Sequence, residues 1–327
     1  SSVWTSLQDQ EQGYATQRMG AIGINHRYIL GSKTYLNSTL ALSGDYTEYV
    51  VDYLDFDFTP YPSHSINNLN TTYTLTSTLN HKFSAKHTNR TGFIVKNLNY
   101  STLLEYEPSI GDDLVTTVDE DGSSNLFHLF SQSKLDLSSR LLLNLGMHAL
   151  YFDMNNELVL EPRLGATYHL TNRQSISLAY GMHSRLEPQS LYFARVLEGD
   201  AFTYPNKSLS LSKARHFVLA YDIKLSPNVR LKVEPYFQYL YDIPVLPDSS
   251  YSTINMEADW FFTEKLDNSG TGTNFGIDLT LERFLKDGYY YLFTASLFES
   301  KYAGGDGIER NTRYNSNYVV NVLLGKE

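Results

Sequence analysis

The stretch LEPRLGATYHLTNRQSISLAYGMHS (residues 160–184) contains two runs in which apolar and polar side chains alternate. The first run sets Leu160, Leu164 and Tyr168 against Glu161 and Arg163. After the break TNR, the second sets Ile176, Leu178, Tyr180 and Met182 against Ser175, Ser177, Ala179, Gly181 and His183. Because successive side chains of a strand point to opposite faces, the stretch predicts a β-hairpin with one apolar and one polar face.

Strands of this length repeat along the chain. They run to about twice the ordinary strand length of roughly 5–6 residues, and a strand that crosses a bilayer at a tilt needs roughly 9–11. Thirteen strands are predicted, at roughly 14–29, 34–46, 69–83, 91–104, 125–136, 140–152, 158–170, 174–183, 214–225, 229–242, 272–284, 289–301 and 314–325.

The connections between these strands alternate in length. Every odd-numbered connection is short, from LGSK after the first strand to KDG after the eleventh. The even-numbered ones are mostly long, at about 47–68, 105–124, 184–213, 243–271 and 302–313, with only 153–157 short. Short turns on one rim and long loops on the other are typical of outer-membrane barrels. A soluble all-β protein is the alternative, but it gives no reason for this alternation.

The composition agrees with a barrel and excludes several other classes. The 327 residues include no cysteine, so disulfide frameworks and thiolate metal sites are absent. The net charge of −10 argues against a nucleic-acid surface. Aromatic residues make up 14% of the chain, with 26 tyrosines, and tyrosine suits a membrane interface. No window is apolar enough for a transmembrane helix, but barrel strands expose only every second residue to lipid.

The sequence therefore predicts an all-β, transmembrane antiparallel barrel that covers residues 1–327 as one continuous meander in the bacterial outer membrane. On this hypothesis the apolar face meets lipid and the polar face lines a wide lumen. The lipid-facing set is Leu164, Tyr168, Leu178, Leu219, Ile223, Ile277 and Leu279.

The count of thirteen strands is odd, whereas bacterial single-chain barrels have even numbers. We therefore expect an interior piece of a longer barrel. Its first strand, near Ala15–Tyr28, and its last, near Asn317–Leu324, should both be edges of the sheet.

Four segments carry a family resemblance. They are LEPRLGATYHLTNRQSISLAYGMHSRLEPQSLYF, LSKARHFVLAYDIKLSPNVRLKVEPYFQYLYDIPV, GIDLTLERFLKDGYYYLFTASLFESKY and RNTRYNSNYVVNVLLGKE. In this order they resemble the barrel of TonB-dependent outer-membrane receptors of the Bacteroidetes type. The resemblance covers about residues 130–327 well and the earlier part by pattern only.

The resemblance implies a 22-stranded barrel to which this chain contributes about thirteen strands. The plug domain and the C-terminal strands would then lie outside this chain. Such receptors import scarce nutrients such as iron chelates, cobalamin, oligosaccharides or peptides. The partners it implies are outer-membrane lipid and lipopolysaccharide, the protein's own plug, TonB and a surface lipoprotein.

Charged residues fall on the inferred lumen face of several strands. They are Glu161, Arg163, Arg230, Lys232, Glu234, Asp278 and Glu282. One interpretation is docking to the plug or to substrate. The other, which we favour for any single residue, is a hydrated wall whose charges pair across strands.

Two further sets of residues raise the question of a metal. The histidines His128, His148, His169 and His183 fall on inferred lumen faces, but on different strands and at different depths, so we predict no metal site. The acidic run contains Asp112, Asp113, Asp119, Glu120 and Asp121 in a predicted outer loop. Its spacing is not that of an EF-hand, so a solvated acidic loop is the preferred interpretation over a calcium site.

The loop SRLEPQSLYFARVLEGDAFTYPNKS is long and rich in Arg, Tyr and Phe, and binding residues tend to lie on such loops. Arg185, Tyr192, Phe193 and Arg195 are therefore the candidate ligand contacts. No catalytic motif is present, and we predict neither an enzyme nor a cofactor. Two function classes remain: a TonB-dependent importer, or a passive porin or non-transporting barrel subunit of a larger surface assembly.

Overall fold

The computed structural model describes residues 11–54, 57–109, 111–255 and 262–327. In chain order the strands are β1 (Glu11–Gly31), β2 (Thr34–Leu54), β3 (Pro60–Ser84), β4 (His87–Tyr106), β5 (Val115–Asp136), β6 (Leu141–Phe152), β7 (Glu157–Thr171), β8 (Gln174–Arg185), β9 (Val196–Glu198), β10 (Ala201–Thr203), β11 (Ser212–Ser226), β12 (Val229–Val245), β13 (Asp267–Lys286), β14 (Tyr289–Ala303), β15 (Glu309–Asn311) and β16 (Tyr318–Lys326). A one-turn helix spans Gln189–Tyr192, and 3₁₀ turns span Pro205–Ser208 and Thr253–Asn255. None of the helices in these ranges is long and apolar enough to cross a membrane.

Fourteen of the strands form one antiparallel sheet, and β9 and β10 form a separate small hairpin. Each long strand pairs with the next long strand along the chain, so β8 is followed directly by β11 in the sheet. All thirteen predicted strands are present, and the predicted meander is confirmed. Within the described ranges β1 pairs only with β2 and β16 only with β14, so both are edges, as expected.

The turns at one rim are tight. Between β13 and β14, Asp287 and Gly288 have φ of 57° and 75°. Two successive positive φ values are typical of a type I′ hairpin turn, for which Asp-Gly is a preferred pair because glycine has no Cβ to oppose this conformation. We call this edge of the sheet the short-turn rim and the opposite edge the long-loop rim.

The strands differ in length, and this corrects two predicted loops. β1 to β5 contain between 20 and 25 residues, whereas β6, β7 and β8 contain 12, 15 and 12. Most of the predicted loops 47–68 and 105–124 is therefore strand. At these outer ends the inner face carries buried apolar residues such as Val51, Ile66 and Val118 while the outer face lies above the lipid, so the sequence lacks the apolar–polar alternation that predicts a strand. The long-loop rim stands much higher over β1–β5 than over β6–β8.

The two faces of the sheet carry different side chains, as predicted. On β7, Leu164 is 49% exposed on the outer face, whereas Glu161 is 2% exposed on the inner face. Leu178 and Leu219 continue the outer face at 58% and 46% exposure on the next strands. The outer-face residues next to these three leucines are apolar as well, so the outer face is a continuous apolar surface. The inner face is polar in its middle and at the short-turn rim.

Near the long-loop rim the inner face is apolar, and the segment 186–211 packs on it. Leu191, Tyr192 and Phe193 of this segment are almost fully buried against inner-face residues such as Leu104 and Val159. Asn206, also fully buried, ties this segment to the next long connection, because its side chain bonds the backbone of Glu264 and Leu266. The sheet and the two connections therefore share one core.

Candidate binding wall on the inner face

Glu161 is the most buried charged residue of the inner wall. Its Oε1 accepts hydrogen bonds from the backbone N–H of Ser184 at 2.7 Å and from the Ser184 hydroxyl at 2.5 Å. Its Oε2 lies 2.7 Å from Nδ1 of His148 and 3.1 Å from Nη2 of Arg163. A carboxylate without such partners would not be buried here, because an unpaired charge is costly to remove from water. The partners make Glu161 a fixed part of the wall.

The position of Glu161 follows from a break in the sheet. β7 and β8 pair from the short-turn rim up to Arg163 and Gly181, and above this point β8 pairs only with β11. The Glu161 side chain fills the gap and accepts the N–H of Ser184 that β7 no longer bonds. A side chain thus replaces a ladder hydrogen bond, which satisfies a backbone donor that would otherwise lack a partner.

Two histidines extend this arrangement across β6 and β5. Nε2 of His148 lies 3.0 Å from Nδ1 of His128, and the two rings are stacked. Because the Glu161 carboxylate only accepts, Nδ1 of His148 donates to it, and Nε2 of a neutral His148 then accepts from His128. His128 Nε2 is buried and has no hydrogen-bond partner in the described part of the chain.

This geometry corrects the expectation that the lumen histidines lie at different depths. His128 and His148 are in contact, and His183 packs edge-on against His216 at 4.9 Å between ring centroids. His169 lies near the short-turn rim, where it pairs with Ser175. No three His, Cys, Asp or Glu side chains in the described ranges are arranged to hold a metal ion.

The predicted charges of β12 and β13 lie on the inner face and are mostly paired. Arg230 bonds Asp222 on β11 through two of its nitrogens, and Lys232 lies 2.6 Å from Glu234. Asp278 accepts a 2.7 Å hydrogen bond from Ser296. Glu282 lies opposite Arg230 in the β12–β13 ladder. These contacts agree with the interpretation of a hydrated wall whose charges pair across strands.

A cavity of about 640 Å³ opens on this part of the wall. Glu234 and Asp278, which face each other in the ladder, supply its charge. Tyr236, Phe298 and Tyr314 supply aromatic surface, and Tyr314 comes from the connection between β15 and β16. Aromatic walls with a few convergent polar groups are typical of small-molecule sites. The sequence analysis missed these aromatic residues because strand alternation does not show which strands contribute to one cavity.

A second feature of the inner face is a basic groove at the short-turn rim of β2 to β5. Its volume is about 310 Å³, and its cations are Lys33, Lys82, Arg90 and Lys134. Among the described residues no carboxylate forms an ion pair with any of the four. In a chain with a net charge of −10, four unpaired cations in one groove mark a surface suited to an anionic partner.

Two of the candidate ligand contacts are buried, contrary to expectation. Tyr192 is 1% exposed and Phe193 is 0% exposed, within the core beneath segment 186–211. The Tyr192 hydroxyl accepts the backbone N–H of Glu187, and burial raises the pKa of this tyrosine. Both rings anchor the segment and present no surface to a ligand. Aromatic side chains in a long loop pack as readily as they bind, and composition alone does not separate the two.

The two arginine candidates, Arg185 at the end of β8 and Arg195 in the segment, differ from the rings. Arg185 is largely exposed and lies 3.9 Å from the buried Glu187 carboxylate. Arg195 stacks on Phe202 of the β9–β10 hairpin at 4.2 Å from the ring centroid, and its backbone N–H bonds Thr117. The acidic run is not one loop, since Asp119, Glu120 and Asp121 lie on β5, with Glu120 2.7 Å from Lys207. Asp112 and Asp113 do lie in the connection before β5.

Comparison with known proteins gives matches of structure only. No known sequence family and no curated protein matches the chain. The ferric yersiniabactin uptake receptor FyuA of Yersinia pestis matches with a TM-score of 0.66 at 12% identity, over 96% of this chain and 48% of that protein. The siderophore receptor PiuA of Acinetobacter baumannii matches with a TM-score of 0.66 at 13% identity, over 96% and 53%. The fold is that of an outer-membrane receptor barrel.

A third solved structure, the RagAB peptide importer, matches with a TM-score of 0.61 at 13% identity over 90% of this chain. The chain spans 37% of that protein and about half of the two siderophore receptors. At these identities the likeness is one of fold. It confirms the predicted fold class, a transmembrane antiparallel barrel of the type found in TonB-dependent receptors.

Proposed function

We propose that this chain is part of the barrel of a TonB-dependent outer-membrane receptor that imports a scarce nutrient. The observation that carries the proposal is the inner wall. It is a polar, hydrogen-bonded surface on a sheet of 14 strands whose outer face is apolar, and a sheet of this width encloses space instead of filling it with side chains. The proposal gives the chain no catalytic role.

The same proposal assigns partners to the two features of the inner face. The cavity with Glu234, Asp278 and the three aromatic rings is a contact surface for the imported molecule. The basic groove at the short-turn rim is a contact surface for a plug domain, which we place outside this chain together with the closing strands and the TonB-contacting segment. Iron chelates, cobalamin, oligosaccharides and peptides remain the candidate cargoes, and a surface lipoprotein remains a candidate partner.

A passive porin or a non-transporting subunit is the second class, and energy dependence separates it from the first. The experiment compares uptake of a panel of labelled ferric siderophores, cobalamin, oligosaccharides and peptides by cells with and without the full-length protein. We expect uptake of one class that a protonophore abolishes. Uptake that persists with the protonophore would identify a porin, and uptake of none of the panel would contradict the importer proposal.

Variants then locate the pathway. Asp278→Asn alters the inner wall, and Glu299→Gln is the matched control because Glu299 lies on the neighbouring strand's outer face with its side chain 45% exposed. We expect Asp278→Asn to change uptake several-fold at equal protein level, and Glu299→Gln to leave it unchanged. If the two variants changed uptake equally, the cavity would not be part of the import pathway.

A further inference from the structure

The apolar outer face of β11 has a sharp upper boundary. Along β11 its outer-face residues below Arg215 are Phe217, Leu219, Tyr221, Ile223 and Leu225. Ten positions separate Arg215 from Leu225, which is about 33 Å along a strand and about 25 Å along the normal at a tilt of about 40°. That height equals the apolar band of an outer-membrane barrel, about 25 Å. Arg215 therefore stands at the upper edge of the band, toward the long-loop rim.

The ladder shows which outer-face residues lie beside Arg215 on the neighbouring strands. The sheet register joins Met182, Arg215, Tyr239, Thr273 and Lys301 into one row of the outer face. The row directly below contains Tyr180, Phe217, Phe237 and Phe275 on β8 and β11–β13, and it ends on β14 at Glu299, which pairs with Lys301. An aromatic row beneath a polar one is typical of the interface between lipid tails and headgroups.

Arg215 differs from the other cations near this boundary. Lys301, in the same row, lies 3.4 Å from Glu299 and 3.3 Å from Glu309. Lys213, on the same strand, lies 2.7 Å from Glu157 and 2.8 Å from Asp242. In the described part of the chain no carboxylate forms an ion pair with Arg215. It is exposed, and it is the unneutralised cation of the row.

The Arg215 guanidinium is also held in place. It lies over the ring of Tyr241, 5.0 Å from the centroid, and Tyr239 flanks it in the ladder. A guanidinium that stacks on a ring by its face keeps its N–H edge free, and that edge matches two oxygens of a phosphate. An arginine in this position suits a phosphate better than a lysine, whose ammonium is a point charge.

We propose that Arg215 binds a phosphate group of an anionic lipid in the outer leaflet of the membrane, with Tyr241 fixing its guanidinium and Tyr239 beside it. The inference rests on the proposed function only in that the chain must lie in a membrane; it requires no transport. The occupant is a lipid because the site stands directly on the apolar band, where the tails of the same molecule cover Phe217 and Phe237.

The test uses the full-length protein, purified in detergent and stripped of lipid, with bis-phosphorylated lipid A as the probe and native mass spectrometry as the readout. We expect Arg215→Gln to lower the retained lipid A at least fivefold and Arg215→Lys to lower it less. Lys301→Gln is the matched control, in the same row but already neutralised, and should change retention less than twofold. Equal retention by Arg215→Gln and the unaltered protein would overturn the proposal, as would equal loss in Lys301→Gln.

Two further arms separate the sources of phosphate and guard against a misfolded variant. Inorganic phosphate should not displace the lipid at millimolar concentration, and full displacement would identify a soluble-anion site instead. In the unaltered protein, phenylglyoxal should modify Arg215 several-fold more slowly with lipid A than with its dephosphorylated form, and equal rates would overturn the proposal. If uptake fails while lipid A is still retained, only the proposed function fails.

Discussion

The carboxylate of Glu161 accepts both hydrogen bonds that Ser184 can donate, from the backbone N–H at 2.7 Å and from the hydroxyl at 2.5 Å. This contact spans the point where β7 and β8 cease to pair. Removal of the carboxylate would leave a backbone donor and the His148 Nδ1–H without a partner. Glu161 is therefore a wall residue whose first role is to hold two strands in their relative positions.

Glu161→Ala should lower the free energy of unfolding by about 2–3 kcal/mol, because each buried group left unsatisfied costs about 1–3 kcal/mol. Glu161→Gln should cost less, since its amide oxygen can still accept from Ser184. The measurement is thermal or denaturant unfolding of the detergent-solubilised protein. Glu299→Ala is the control, with an expected effect below about 0.5 kcal/mol because its ion pair is half-exposed. An equal effect of the two alanine variants would contradict this role.

Leu219→Arg should destabilise the barrel by about 2–4 kcal/mol, because it places a charge on the lipid-facing surface near the middle of the apolar band. Val218→Arg, one position away on the inner face and at the edge of the cavity, should cost much less because that side chain meets water. Folding titrations in lipid vesicles measure both. If Val218→Arg were the more costly variant, the assignment of the two faces would be reversed.

Phe193→Ala should release segment 186–211 from the inner wall. The substitution leaves a cavity in a core where Phe193 is 0% exposed, and such truncations cost about 3–5 kcal/mol. Limited proteolysis should then cleave the segment many times faster than in the unaltered protein. Phe202→Ala, in the same segment but with Phe202 48% exposed, should leave cleavage unchanged. If Phe193→Ala lost ligand binding without any change in the cleavage rate, Phe193 would be a ligand contact and not an anchor of the segment.

Stability at the outer end of β3 should depend on pH through His64. His64 lies 20 positions from the end of β3 at Ser84, well above the apolar band, and burial lowers its pKa in the folded chain. The unfolded chain therefore binds the proton more readily, and local stability falls as the pH drops below about 6.5. Hydrogen-exchange protection of residues 61–66 should be lower at pH 5 than at pH 7.5, and the difference should shrink in His64→Gln. An unchanged difference in that variant would assign it to other groups.

The middle of each strand could be predicted from the sequence, because alternation and tight turns are local signals. Leu164 and Glu161 face opposite sides as predicted, since one lipid-facing and one wet face leave a period of two in the sequence. The outer extensions of β2, β3 and β5 left no such period because their outer face lies above the lipid while their inner face carries buried apolar residues such as Val51, Ile66 and Val118. The upper parts of these strands were therefore predicted as loops.

The site was harder to predict because it depends on register across strands. His128, His148 and Glu161 meet because the turns at 137–140 and 153–156 set which residues lie side by side. Counting outward from those short turns would have brought the three together, so this signal was present and went unused. The burial of Tyr192 and Phe193 depends on contacts with strands far away in the chain, and no local pattern records them.

The unequal strand lengths have a consequence for how the molecule opens. Over β1–β5 the upper wall is backbone ladder, whereas the segment 186–211 lies on the inner face of the sheet and is held by side chains such as Phe193 and Asn206. The hydrogen bonds of a ladder break only when the whole strand leaves the sheet. A packed segment can detach as one cooperative unit, at a free-energy cost below that of global unfolding. The amides of 186–211 should therefore exchange through a sub-global opening, before the strands on either side of them.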